Sequence, residues 1–211
     1  MIPFDKFKEE ADKIPYQYRH SHFLYALVKW LRPTTVVEVG THLGMSAVWM
    51  ARALQENGEP SLLHCIDNFC WPEHANSDPQ GVWWKNIRDC GVGDYVSLRV
   101  GRSIEVFWPP RIDMAYIDGN HSQKGCQADL DRALAHGATC ICLNDTATCA
   151  GVQKVADRFR REGALMWDFI EVPFDAGLLV AVMRRGRPEP TQGDYDDWDR
   201  ETDGYPYNKS E

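Results

Sequence analysis

The sequence predicts an α/β fold in which a mostly parallel sheet is covered by helices on both faces. Short β-branched or apolar runs alternate with longer amphipathic ones, the pattern of strands joined by crossover helices. A length of 211 residues allows one domain with a sizeable core and leaves little for a second. The polar residues that stand out chemically all follow a predicted strand, which is where open α/β sheets bind ligands.

Residues 4–14 and 18–31 are expected as two helices packed ahead of the sheet, so that residues 1–34 form a helical extension. The first strand is the β-branched run Thr35-Val36-Val37-Glu38-Val39-Gly40, followed by a helix over 43–55 that Asn57-Gly58 stops. The second strand is Leu62-Leu63-His64-Cys65-Ile66-Asp67, ending in an acid. Residues 72–80 read as a long loop and 81–89 as a helix ending at Gly91. Residues 95–100 and 112–118 are the third and fourth strands, with Pro109-Pro110 breaking regular structure between them. A helix over 122–135 has Ser122 as its cap. Residues 138–143 form a fifth strand, 152–162 a helix, and 166–172 with 177–183 close the sheet as an antiparallel pair. The sheet-bearing domain is thus 35–185, and 186–211 is a tail.

The composition, 44% hydrophobic and 26% charged, is that of a globular protein rather than a disordered or fibrous one. No apolar run approaches the roughly 20 residues that cross a bilayer, so no membrane partner is expected. Residues 1–13 lack the apolar core of a secretion signal, and a cytoplasmic location is expected. Seven cysteines form no CxxC pair and read as free thiols. Cys140 and Cys142 share one strand face, with His121 as a neighbour, but the spacing is unlike that of zinc sites and no zinc is expected. The net charge of −8 argues against nucleic acid as a partner. Most of that charge sits after Pro188, where eight acids face two bases. That tail reads as a flexible end, or alternatively as a flap or dimer arm anchored by Tyr195, Trp198, Tyr205 and Tyr207. With the amino-terminal helices it is the candidate surface for a homodimer.

The turn Glu38-Val39-Gly40-Thr41-His42-Leu43-Gly44 lets a ligand approach the backbone closely and opens a helix. Its Gly-x-x-x-Gly spacing differs from the dinucleotide fingerprint, which disfavours a nicotinamide oxidoreductase. Asp67, at the end of the second strand, is placed to accept ribose hydroxyls. Together the glycine turn and this acid read as an adenosine-type pocket.

The run Val36 to Ser46 resembles the first motif of class I S-adenosylmethionine-dependent methyltransferases. Ile117-Asp118-Gly119-Asn120-His121-Ser122 resembles the IDGDHS stretch of the catechol-type and macrocin-type O-methyltransferase branch, and Asn144-Asp145-Thr146 stands where that branch carries a second acid. The resemblance spans residues 36–182. It implies a Rossmann-like seven-stranded methyltransferase sheet with its last strand antiparallel. The implied cofactor is S-adenosylmethionine, contacted by Glu38, Gly40, Thr41, Gly44, Ser46, Asp67, Asn68, Phe69, Arg102, Ser103 and Asp118. Arg102 replaces the family's acid. Asp118 and Asp145 would share Mg²⁺ or another divalent cation, with Thr146 in place of the usual Asn or Asp. His121 and Asp118 are the catalytic candidates, His121 as general base. Trp71, Trp83, Trp84 and Trp108 could line the pocket of a small-molecule acceptor. The function implied is O-methylation of that acceptor; the alternative is a cofactor-binding protein without transfer activity.

Overall fold

The computed structural model describes residues 1–14, 20–70, 77–174 and 176–184. The expected loop at 72–80 is therefore described only from Ser77 onward, and Trp71 and the tail lie outside the described residues.

The strands are β1 (Thr35–Val39), β2 (Leu62–Asp67), β3 (Val96–Val100), β4 (Met114–Ile117), β5 (Cys140–Asn144), β6 (Trp167–Val172) and β7 (Leu178–Met183). They form one sheet in the order β3-β2-β1-β4-β5-β7-β6, parallel except that β7 runs antiparallel to both neighbours. Among the described residues six α-helices accompany them: α1 (Phe4–Ala11), α2 (His20–Leu31), α3 (Met45–Asn57), α4 (Pro79–Asp89), α5 (Gln123–Ala135) and α6 (Ala150–Glu162).

The pleat sorts side chains to two faces with period two. Val36, Met114, Tyr116, Cys140 and Cys142 face one apolar cluster, which α1 to α4 complete. Val37, Val39, Ala115, Ile117, Ile141 and Leu143 face a second, completed by α5 and α6. Phe7, Leu24 and Val28 put α1 and α2 into the same cluster as the sheet. Cys140 and Cys142 are fully packed there, as small hydrophobes.

Element boundaries differ from the expected ones for local reasons. Helix α4 begins at Pro79 because Asp78 caps it, its carboxylate accepting the Gly81 N–H at 2.8 Å, and proline suits the first helical turn. Strand β4 is shorter than 112–118, and Gly93–Tyr95 form a 3₁₀ turn before β3. The reversal of strand order falls between β1 and β4. There Val39 pairs with Ile66 on one side and Ile117 on the other, so three strands end level.

Candidate functional site

The chain leaves β1 through Gly40, whose φ of +87° only glycine adopts without strain. A Cβ there would lie 2.1 Å from the Asp118 carbonyl oxygen, so glycine also lets the β1 and β4 turns touch. His42 follows at φ +47°, and its N–H donates to Asp67 Oδ2 at 2.8 Å; the Phe69 N–H donates to Oδ1 at 2.7 Å. Buried Asp67 therefore fastens the β1 turn to the β2 turn, while each oxygen keeps a second lone pair for a ligand. Thr41 is buried and its hydroxyl accepts the Trp83 indole N–H at 2.9 Å. Ser46, in the first turn of α3, donates to Glu38, which has no exposed surface. Burial pushes the Glu38 carboxyl up to about 7, with the Ser46 hydrogen bond opposing.

Above these turns opens a cleft of about 480 Å³, within the range of small-ligand sites. Gly40, Asp67, Asn68, Arg102 and Ser103 line it, from the rim formed by the ends of β1, β2 and β3. Glu38, Thr41, Gly44, Ser46, Phe69 and Asp118 do not line it. They stand behind the wall or beside it, and Phe69 packs on the first apolar cluster. Arg102 is exposed and pairs with Glu105 at 3.1 Å.

An acidic lining residue is absent from the sequence-based set. Asp129 on α5 is 1% exposed, accepts the Ser103 hydroxyl, and has an Oδ2 without a protein partner. Burial raises its pKa. The available signal was an acid within the stripe Cys126, Asp129, Leu130, Ala133, the buried face of an amphipathic helix.

Beside the cleft, at the ends of β4 and β5, Asp118 is held on both oxygens. Asn144 Nδ2 donates to Oδ1 at 2.9 Å, and the Tyr116 hydroxyl donates to Oδ2 at 3.0 Å. Tyr116 also meets His20 Nε2 of α2 at 2.8 Å, so a buried polar chain links the amino-terminal helices to this acid. His121 Nε2 lies 3.1 Å from Asp145 Oδ2 and 3.6 Å from Asp118 Oδ1. Its pKa is raised, chiefly by its pairing with Asp118; that of Asp145 is raised by burial first. Both carboxylates thus meet one imidazole.

The donors gathered around Asp145 include nitrogen and sulfur, whereas Mg²⁺ takes oxygen ligands and keeps several waters. Both Asp118 oxygens carry protein donors, and Thr146 turns its hydroxyl to Gly177. His121 and Cys149 each bring a donor atom within 4.8 Å of an Asp145 oxygen, and the Thr148 hydroxyl donates to Asp145 Oδ1 at 3.3 Å. Of the tryptophans, Trp83 and Trp108 are core residues and Trp84 packs against the core.

A family model described as a methyltransferase domain matches residues 37–143. A catechol O-methyltransferase of Niastella koreensis is 32% identical over 106 residues, covering 46% of this chain and 42% of that protein. The chain therefore matches less than half the length of that relative. The O-methyltransferase TomG of Streptomyces achromogenes, involved in tomaymycin synthesis and solved with SAM, superposes with a TM-score of 0.62. It is 19% identical, over 86% of this chain and 91% of that one. An O-methyltransferase of Bacillus cereus, solved with SAH, gives 0.63 at 19% identity over 87% and 93%. At such identities the likeness is one of fold.

Proposed function

Since the chain belongs to the methyltransferase-domain family, we propose that it is an S-adenosylmethionine-dependent O-methyltransferase of a small-molecule acceptor. One observation carries the reading: Gly40 and Asp67 line a single cleft at the point where strand order reverses.

The residues present fit the cofactor. Gly40 lines the cleft with bare backbone, Asp67 keeps lone pairs beyond those its N–H partners use, and Asn68, Arg102 and Ser103 border the space for a base. Bound S-adenosylmethionine would supply a methyl group on a sulfonium sulfur, transferred to the acceptor oxygen with S-adenosylhomocysteine as the leaving group. The protein's part is to fix the geometry, since alignment of two reactants supplies much of such a rate. Asp67, tied to the His42 and Phe69 N–H groups, holds the two turns in register. Asp118, held by Asn144 and Tyr116, orients His121, the group placed to take the acceptor's proton.

Residues 35–185 act as the cofactor-binding domain, with 1–34 as its helical extension. The acceptor is small, neither nucleic acid nor membrane. Cytoplasmic residence is supported by cysteines that are all free. A homodimer is supported by exposed Phe4 and Trp30 on α1 and α2, and light scattering reads it. Among the described residues no helix is long and apolar enough to cross a membrane.

Calorimetric titration with S-adenosylhomocysteine tests the pocket. Asp67→Ala should weaken binding by about tenfold to a hundredfold, the worth of charge-assisted hydrogen bonds, and Asp67→Asn by less. Unchanged affinity in both variants overturns the assignment. Turnover on a panel of catechols, phenols and sugars tests transfer; binding without turnover on any acceptor leaves a cofactor-binding protein.

A further inference from the structure

We propose that the group beside the cleft is a site for a borderline transition-metal ion of the Zn²⁺ class, held by His121 Nε2, a carboxylate oxygen of Asp145 and Cys149 Sγ. The proposal rests on the donor set in this chain, which departs from the oxygen-only pattern implied by the family resemblance.

Three features of the local chain bring the donors together. Asp145 leaves β5 at φ +61° and begins a tight turn, in which the Thr148 and Cys149 N–H groups donate to its carbonyl at 3.3 and 3.0 Å. That turn returns the chain so that Cys149, the residue before α6, stands over Asp145. Gly151 then permits a close crossing: a Cβ there would lie 2.4 Å from the His121 carbonyl oxygen and 2.6 Å from Gln123 N. The β4 turn carrying His121 therefore rests on the start of α6. One ligand atom from each of His121, Asp145 and Cys149 lies within 4.8 Å of the others.

The chemistry selects the ion. Imidazole with carboxylate and thiolate suits Zn²⁺ and its neighbours, whereas Mg²⁺ demands near-octahedral oxygen and keeps its water. At bond lengths of about 2.0–2.3 Å, donors on a tetrahedral ion sit roughly 3.3–3.7 Å apart, so the group closes by about an ångström. His121 Nε2 is buried and takes no hydrogen bond of good geometry from a protein group. The side chain of Cys149 does not cap α6. Three protein donors leave a fourth position open, as in catalytic rather than structural zinc sites. Asp118, already holding Asn144 and Tyr116, stands beside that set. Binding releases the thiol proton, and His121 serves as a base only in the ion-free protein.

The test uses the full chain, stripped with a chelator and kept reduced, titrated with Co²⁺ alone. One equivalent should produce the near-ultraviolet absorption of a thiolate–cobalt bond. One equivalent of Zn²⁺ should abolish it and excess Mg²⁺ should leave it intact. Cys149→Ser should remove the band while Cys70→Ser keeps it, and His121→Gln should weaken Co²⁺ binding at least tenfold. Circular dichroism confirms that each variant is folded. Cobalt binding without the band, a band that survives Cys149→Ser, or displacement by Mg²⁺ overturns the proposal. S-adenosylhomocysteine titration of the same samples separates this outcome from failure of the cofactor pocket, because Asp67 lies outside the metal group.

Discussion

Glu38 shows how one residue couples the turn after β1 to pH. It is buried behind the turn with Ser46 as its donor, and burial raises its pKa from the ordinary 4.5 to about 7. Below pH 4.5 the carboxyl is protonated in both folded and unfolded chains, and its contribution is complete. Between 4.5 and about 7 the unfolded chain gives up the proton and the folded chain keeps it, so stability falls as pH rises. The loss amounts to about 3 kcal/mol, levelling off above pH 7. Glu38→Gln lacks this term. Urea denaturation across that range should show wild type losing stability relative to the variant, and parallel pH profiles would contradict it. The acid was visible in the sequence as part of the turn. Its complete burial was not, because burial depends on α3 folding back over β1.

At the scale of elements, caps and crossings place the site. Ser122 was read as the cap of α5, and its hydroxyl accepts the Gly125 N–H at 3.1 Å. Helix α4 starts two residues before the 81–89 that the sequence pattern predicts, and Asp78-Pro79, an acid before proline, is the helix-start signal that marks it. Asp78→Ala should cost about 1 kcal/mol of stability, seen as a lower melting temperature, with Asp78→Asn retaining most of it. Equal melting temperatures would mean that the Gly81 N–H finds water instead. Helix α4 matters to the site because it carries Trp83, the donor to Thr41 in the turn after β1.

At the scale of the molecule, the amino-terminal helices share the core of the sheet. Phe7 is fully buried, meets Trp49 edge-on at 4.9 Å between centroids, and lies under the Arg52 guanidinium. Arg52 in turn pairs with Glu56 at 2.6 Å and donates to the Ile2 carbonyl at 2.8 Å. Phe7→Ala should therefore destabilise the whole chain by about 3–5 kcal/mol, in a single cooperative transition. A separate early transition, with the main midpoint unmoved, would make α1 an independent unit.

The sequence by itself determined the fold class, all seven strands and their helices, the reversed strand near the end, and the glycine turn with its acid. Periodicity, β-branching and caps are properties of neighbouring residues, so they can be read along a line. Only the tertiary structure decided that Asp129 enters the cleft from α5 and that Trp83 and Trp108 belong to the core. It alone showed His20 reaching Asp118 through Tyr116, and Cys149 joining His121 and Asp145. Those meetings depend on which crossovers pack against which strand ends, and on a glycine thin enough to let two turns touch. No local pattern records such distances.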